Sequence, residues 1–226
     1  MLQGSQEWLD LRACHAATCS EYGTAIGVGY KSRQKYWRVK MGIDAADPCN
    51  WRMAEGNRRE PFIAELYWHI MRMCGHNVHL HTDAFREDVD DHRFGGSVDR
   101  IVTDDTGDKW VLEIKSRPEG EGFRDEIPET HLLQMLGLCH AYGLSKAHYI
   151  CSTYGTTVFL AEVHFNPGFW ELHIYPRLRE FGWYWGLRRE PPRMKSADKL
   201  QLLKLIHENC IVTPIPAVQN TMHPPQ

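Results

Sequence analysis

Apolar residues recur every three or four positions in several stretches of the chain, which is the spacing of a helix with one buried face. The spacing predicts helices over 7–12, 31–41, 58–74, 129–142, 169–187 and 196–209. Pro61 fits the first turn of the third helix, where its missing N–H costs little. Gly143 is expected to cap the fourth helix. On the last helix Leu200, Leu203 and Ile206 should face inward.

Shorter apolar stretches bounded by turn residues predict strands. They are residues 77–81, 94–103, 109–116, 148–153 and 157–164. The turn-forming cluster 104–108 joins the second and third into a β-hairpin. This order predicts an α/β (α+β) fold, with a small mixed central β-sheet flanked by helices. We expect one domain over 1–210 and a mobile, proline-rich C-terminal tail over 211–226.

The composition is that of an ordinary globular protein, with 226 residues, 42% apolar residues, 24% charged residues and a net charge of −3. No apolar run is long enough to span a membrane, and the N-terminus lacks the apolar segment of a secretory signal. Seven cysteines without a CxxC pair are expected to be reduced. We therefore expect an intracellular protein, in the cytoplasm of a bacterium or phage-infected cell, or in the cytoplasm or nucleus of a virus-infected host.

The strongest chemical signal is a pair of carboxylates in the predicted hairpin. Thr106 is the midpoint between Asp99 and Glu113, so these side chains should face each other at about 4.5–5.5 Å between Cβ atoms. Strand alternation puts Lys115 on the same face as Glu113. Two carboxylates this close repel unless a cation lies between them, and Mg²⁺ or Mn²⁺ prefers such oxygen ligands. Taken alone, the two segments fit a solvated strand edge equally well.

Two further polar residues lie on the inward faces of predicted helices. Glu60 shares a face with Ile63 and Tyr67, and Gln134 precedes Leu138 by one turn. A buried, unpaired glutamate is costly, so Glu60 requires a partner such as a metal ion. Both residues favour a functional centre at the hairpin.

Six short motifs occur in the order typical of lambda-exonuclease-type proteins, which belong to the restriction-endonuclease-like PD-(D/E)xK nuclease superfamily. They are residues 6–12 (QEWLDLR), 18–20 (TCS), 55–60 (EGNRRE), 96–99 (GSVD), 113–115 (EIK) and Gln134. The chain resembles this family over about residues 5–165. The resemblance implies a restriction-endonuclease-like core.

The resemblance also implies roles for individual residues. The implied catalytic residues are Glu60, Asp99, Glu113, Lys115 and Gln134. Asp99, Glu113 and the Ile114 backbone carbonyl would bind Mg²⁺, for which Mn²⁺ should substitute, with Glu60 as an additional candidate ligand. Lys115 would position the attacking water. A second set, Arg12, Ser20 and Ser97, would hold the 5′-phosphate of a DNA end, which suits an arginine fork with hydroxyl donors.

By resemblance, the activity is a metal-dependent 5′→3′ exonuclease on linear double-stranded DNA, leaving 3′ single-stranded tails for recombination or DNA processing. Its implied partners are double-stranded DNA ends and a single-strand annealing protein, and its implied assembly is a homotrimer. Two alternatives stay open. One is an endonuclease of the same superfamily acting on structured DNA or RNA. The other is a non-catalytic nucleic-acid-binding module.

Other segments carry weaker signals. The basic and aromatic helix 31–41 could contact phosphates or could be a solvated amphipathic helix. His76, His79 and His81 are predicted to be surface residues rather than a zinc site. The aromatic cluster 181–185 is predicted to lie in the core or at a subunit interface. Residues 23–29 lack the Gly-Lys-Ser/Thr of a P-loop.

Overall fold

The computed structural model describes residues 5–48, 51–118, 126–153 and 158–215. Its helices are α1 (Gln6–Ala13), α2 (Tyr22–Ala25), α3 (Arg33–Lys40), α4 (Trp51–Met73), α5 (Glu129–Tyr142), α6 (Pro167–Phe169), α7 (Tyr175–Gly186) and α8 (Ser196–Asn209). Its strands are β1 (Ala17–Thr18), β2 (Val78–His81), β3 (Arg86–Glu87), β4 (Phe94–Gly96), β5 (Arg100–Asp104), β6 (Lys109–Arg117), β7 (Lys146–Thr153), β8 (Val158–Phe165) and β9 (Cys210–Pro214).

A six-stranded sheet in the order β2-β5-β6-β7-β8-β9 forms the centre of the fold. Within this sheet, and among the described residues, only the β6–β7 pair is parallel, and helix α5 lies between these two strands in the chain. The other neighbours are antiparallel. The result is the predicted mixed sheet flanked by helices.

The alternation of side chains along β6 divides the core between the two faces of the sheet. Leu112 and Ile114 pack with residues of α4 in one cluster. Val111 packs with residues of α5 in the other. Glu113 and Lys115 therefore point to the α5 side of the sheet, where Gln134 also lies.

The predicted strand 94–103 is wrong as a single element. Residues 94–96 form β4 in a separate three-stranded sheet of order β1-β4-β3, and residues 100–104 form β5 in the main sheet. Gly96 is closely packed there, since an added Cβ would lie 2.6 Å from Cys19 Sγ. Ser97, Val98 and Asp99 form the crossing between the two sheets and bring functional residues to their junction.

Helix α4 begins at Trp51, well before the predicted start at residue 58, so Pro61 lies in its interior instead of its first turn. The proline removes the hydrogen bond that the carbonyl of Asn57 would otherwise accept. Both residues are exposed, so water can satisfy that carbonyl. The apolar stripe that predicted the helix is buried as expected, through Ile63 and Tyr67.

In the long helix over 169–187 the sequence predicts a break or kink at Pro176, and a π-helical segment, Trp170–Ile174, ends two residues before it. The rest of the C-terminal third departs from prediction at two points. On α8 the buried residues are Leu202 and Ile206, whereas Leu200 is 68% exposed. Strand β9 pairs with β8, so residues 211–214 belong to the sheet and not to the predicted tail. Residues 216–226 of that tail lie outside the described part of the chain.

Candidate active site

The hairpin of β5 and β6 has the register that the turn cluster predicts. Arg100 pairs with Leu112, so Asp99, one residue earlier, lies opposite Glu113. The Asp99 Oδ2 atom accepts a hydrogen bond of 2.7 Å from the Ile114 amide. One carboxylate is thereby fixed across the end of the hairpin, next to the other.

Lys115 and Gln134 complete what we call the carboxylate centre, defined as Asp99, Glu113, Lys115 and Gln134. The Lys115 ammonium donates to Glu113 Oε1, and its Nζ lies 3.4 Å from Gln134 Oε1. Glu113 is fully buried, and its Oε2 atom makes no hydrogen bond within the described residues. Sheet register supplies three members and helix α5 supplies the fourth.

The electrostatics of the carboxylate centre indicate a deficit of positive charge. Burial and the neighbouring Glu113 carboxylate raise the pKa of Asp99 well above its ordinary value. Burial alone would lower the pKa of Lys115, but the Glu113 and Asp99 carboxylates outweigh it and raise that pKa. One ammonium cannot neutralise two neighbouring carboxylates. The unpaired Glu113 Oε2 and the all-oxygen donor set therefore fit a hard divalent cation.

Glu60 is connected to this centre by a residue that sequence reasoning missed. Arg100 Nη1 lies 2.7 Å from Glu60 Oε1 and also donates to the Asp99 backbone carbonyl. Glu60 therefore pairs with the Arg100 guanidinium, which compensates its negative charge without a metal ion. Its role as a ligand, and that of the Ile114 carbonyl, stay predictions.

Arg12, Ser20 and Ser97, the three residues predicted to hold a 5′-phosphate, are brought together. Arg12 Nη2 donates to Ser20 Oγ at 3.1 Å. The Arg12 guanidinium also lies 4.4 Å from the ring centre of Trp8, whose Nε1 donates to Ser97 Oγ at 3.0 Å. We call these four residues the phosphate cluster. Ser97 is two residues before Asp99, so the cluster adjoins the carboxylate centre.

Trp8 is the member that the sequence analysis missed as a functional residue. It precedes Arg12 by four positions on α1, and residues at this spacing share a helix face. That spacing could have identified the stacking on Arg12 from sequence alone. Its bond to Ser97, 89 positions away, could not be found in this way.

The basic helix α3 is an amphipathic helix whose cations have protein partners. Arg33, Tyr36 and Trp37 are buried, and Lys35 and Arg38 both pair with Asp44. Lys40, in the last turn of α3, donates to the Arg12 backbone carbonyl at 3.1 Å, so this end of the helix borders the phosphate cluster.

The structure also places two other groups that carry weak signals. His76, His79 and His81 are all exposed, and within the described ranges they do not form a group of metal-ligating atoms. Phe181, from the aromatic cluster 181–185, is fully buried and stacks on Tyr36 at 5.5 Å between ring centres.

No helix in the described ranges is both long and apolar enough to cross a membrane.

A mixed sheet carrying this carboxylate hairpin and Glu-x-Lys strand between α4 and α5 defines the restriction-endonuclease-like nuclease core. The sequence model of one family, the YqaJ-like viral recombinase domain, matches residues 7–143. The chain belongs to this family, and the lambda-exonuclease-type resemblance is confirmed. The matched range includes both the carboxylate centre and the phosphate cluster.

Solved structures give the same fold. The crystal structure of an alkaline exonuclease, LHK-Exo, from Laribacter hongkongensis aligns with a TM-score of 0.66 and 17% identity, covering 89% of this chain and 100% of that chain. The LHK-Exo complex with dAMP aligns with a TM-score of 0.61 and 16% identity over the same shares. The comparison with curated protein sequences gives no match.

Proposed function

We propose that this protein is a metal-dependent deoxyribonuclease that digests one strand of linear double-stranded DNA from its 5′ end. The observation that carries the proposal is the buried Glu113 carboxylate with an unsatisfied oxygen, placed beside Asp99 and Lys115. Membership of a viral recombinase family and a fold shared with an alkaline exonuclease support DNA as the substrate. The digestion would run 5′→3′ and leave 3′ single-stranded tails for recombination.

Asp99 and Glu113, with the Ile114 carbonyl, would hold Mg²⁺, for which Mn²⁺ should substitute. When bound, such an ion lowers the pKa of water and stabilises negative charge on a phosphodiester. The protein's own residues would orient the reaction. Lys115 points an ammonium into the space that Glu113 and Gln134 border, where it would hold the attacking water and offset charge on the phosphate.

The phosphate cluster would set where on DNA the reaction occurs. Arg12 presents a guanidinium fork flanked by the hydroxyl of Ser20, and Ser97 connects this surface to Asp99 through two peptide bonds. A terminal phosphate carries more charge than an internal one, so it binds more strongly to such a group. Capture of the end would therefore place a phosphodiester of the terminal nucleotide at the carboxylate centre.

Two features of assembly belong to the same proposal. A ring of three subunits would enclose the duplex, and a single-strand annealing protein would receive the 3′ tail. A molar mass by light scattering that corresponds to three chains would support the ring, and a monomeric mass at assay concentration would contradict it.

The product class is a further part of the proposal. LHK-Exo, which shares this fold, was solved in complex with dAMP, and this supports a mononucleotide as the product.

The deciding assay uses linear duplex DNA labelled at either end, with and without a 5′-phosphate, and a closed circular control. Each substrate is incubated with Mg²⁺, with Mn²⁺ and, separately, with EDTA. We expect metal-dependent loss of 5′-phosphorylated linear strands and intact circles. Cut or nicked circles would favour an endonuclease. Absence of cleavage with either Mg²⁺ or Mn²⁺ would favour a binding module.

A further inference from the structure

A second group of metal-ligating side chains lies outside the carboxylate centre. We propose that Asp88, Asp90 and His140 form a binding site for a first-row transition-metal dication of the Zn²⁺ type. The ligand atoms of these three side chains all lie within 4.8 Å of one another. Asp88 and Asp90 lie in the loop between β3 and β4, and His140 lies in the last turn of α5. The site would join that loop to the helix.

Asp88 divides its two oxygens between two tasks. Its Oδ1 atom accepts hydrogen bonds from the amides of Asp90, at 2.9 Å, and Asp91, at 3.2 Å, and these bonds hold the loop in shape. Its Oδ2 atom is buried, makes no hydrogen bond within the described residues, and is directed at His140. The residue as a whole is 1% exposed. A buried carboxylate oxygen whose nearest charged partner is 3.4 Å away is costly, and a ligand between the two side chains would compensate it.

The distances suit an ion lying between the side chains. His140 Nε2 is 3.4 Å from both Asp88 Oδ2 and Asp90 Oδ2. A charge-assisted hydrogen bond is shorter, at about 2.7–2.9 Å. Two ligands on a tetrahedral ion with bonds of about 2.0–2.1 Å stand about 3.3–3.4 Å apart. The imidazole Nε2 also makes no hydrogen bond in the described part of the chain.

The donor set selects the class of ion. One imidazole nitrogen and two carboxylate oxygens suit Zn²⁺, Co²⁺ or Mn²⁺, whereas Mg²⁺ and Ca²⁺ prefer oxygen ligands alone. The His140 ring stacks on Trp170 at 4.4 Å between ring centres, which fixes the direction of its Nε2 atom. A cavity of about 710 Å³ borders Asp90 and Glu171.

A bound ion would connect both sides of the active site. The loop that carries Asp88 and Asp90 continues through β4 to Ser97 and Asp99, and the helix that carries His140 also carries Gln134. The effect would be to hold this loop against α5. The competing interpretation is a protonated His140 that forms an ion pair with the same two carboxylates and needs no metal.

The test separates this site from the carboxylate centre by using the Glu113→Gln variant, in which that centre has lost one carboxylate. The EDTA-treated variant is titrated with Co²⁺, and the visible spectrum and bound equivalents are recorded. We expect one equivalent with the absorption of a four-coordinate ion, displaced by Zn²⁺. The additional change His140→Gln should abolish it, and Asp90→Asn, at an exposed position, should weaken it at least tenfold. His92→Gln, at an exposed histidine of the same loop, should leave it unchanged.

Binding in the wild type that disappears in Glu113→Gln alone would place the ion at the carboxylate centre and overturn the proposal. Retention of the ion by the His140→Gln variant would overturn it as well. Nitrogen NMR of the His140 imidazole gives a readout that does not require a substituted protein to fold. A shift of Nε2 on Zn²⁺ addition supports the site, whereas two protonated ring nitrogens that ignore Zn²⁺ support the ion pair.

Discussion

The carboxylate centre and the phosphate cluster meet at the three-residue crossing between β4 and β5, yet they are built in different ways. In the carboxylate centre, Glu113 and Lys115 belong to a central strand and Asp99 is placed by the same hairpin register. In the phosphate cluster, Arg12 comes from α1, Ser20 from the 3₁₀ turn Cys19–Glu21 and Ser97 from the crossing. One region depends on the sheet, and the other depends on how separate elements pack.

The difference extends to burial. Glu113 is fully buried, whereas Ser20 is exposed and Arg12 is half-buried. A buried charge interacts strongly with its neighbours because water does not screen it, and a partly exposed one is screened. Under the proposed function, bond breaking would take place on the central sheet, while the DNA end would bind where water and ligand can exchange. Substitutions in the two regions should therefore differ in size and kind.

The largest effect should come from Lys115→Ala. Removing the ammonium leaves Glu113 and Asp99 uncompensated and deprives the water of its positioning group, so the hydrolysis rate should fall by roughly 10²–10⁴-fold. DNA binding should persist, because the phosphate cluster is untouched. Single-turnover cleavage and fluorescence anisotropy on the same labelled duplex measure the two quantities separately.

The matched control for that experiment is Lys204→Ala, a lysine on α8 that pairs with Glu208 at the surface. It removes an equal charge away from both regions and should cleave at the wild-type rate. A Lys115→Ala enzyme with wild-type turnover would exclude Lys115 from the reaction.

Arg12→Ala should have the next largest effect, and of a different kind. A hydrogen bond to a charged group contributes about 1.5–3 kcal/mol, which corresponds to roughly 10–100-fold. Digestion of 5′-phosphorylated ends should weaken by that factor, while digestion of 5′-hydroxyl ends changes little. The ratio of initial rates on the two substrates is the measurement.

Ser20→Ala tests whether the effect belongs to the cluster or to the arginine alone. It removes the hydroxyl bonded to Arg12 Nη2 and should reduce the same ratio by a smaller factor. Equal losses on phosphorylated and hydroxyl ends in Arg12→Ala would mean that this residue binds DNA without recognising its end.

How far the sequence predicts these two regions follows from how each is built. The turn cluster 104–108 determines which residues face each other, so the pairing of Asp99 with Glu113 is readable from spacing. Helix α5 has its predicted bounds, Glu129–Tyr142, because Gly143 adopts the left-handed conformation, with φ of 66°, that ends a helix. Local signals of this kind carry the fold and most of the carboxylate centre.

The remaining features of the fold and of the two regions depend on contacts between distant elements, which leave no local signal in the sequence. The break at Ser97–Asp99 depends on pairing of β4 with the two-residue strands β1 and β3, which are too short to show a pattern. Arg100 reaches Glu60 from 40 positions away, and His140 meets Asp88 from 52 positions away. Tertiary packing determines each of these contacts. The sequence therefore identifies Glu60 as a candidate residue but does not identify Arg100 as its partner.

Lowering the pH should destabilise the protein through His131, a histidine beside the carboxylate centre. His131, one turn before Gln134, contacts the Tyr149 hydroxyl at 3.0 Å. Burial, followed by the Lys115 and Arg117 cations, lowers the pKa of His131 to about 3. A histidine with a lowered folded-state pKa contributes stability that is present above its unfolded pKa of about 6.5 and is lost as pH falls below that value.

Between pH 7 and pH 5 the wild type should therefore lose up to about 2 kcal/mol more unfolding free energy than His131→Gln, which has no imidazole to protonate. Urea unfolding at the two pH values in the presence of EDTA measures the difference. Lys204→Ala, at the surface of α8, serves as the control and should follow the wild-type dependence. Parallel pH dependences for the wild type and His131→Gln would show that His131 is not held neutral.

The smallest effect should come from Trp8→Phe, which separates the two contacts of the indole. Phenylalanine keeps a ring beneath the Arg12 guanidinium but loses the N–H bonded to Ser97 Oγ. A neutral hydrogen bond contributes about 0.5–1.5 kcal/mol, or roughly 2–10-fold, so the preference for phosphorylated ends should fall by that factor. Trp8→Leu, which removes the aromatic face as well, should reduce it further. If Trp8→Phe instead lowers turnover on both kinds of end equally, the indole positions Asp99 through Ser97, and the two regions function as one.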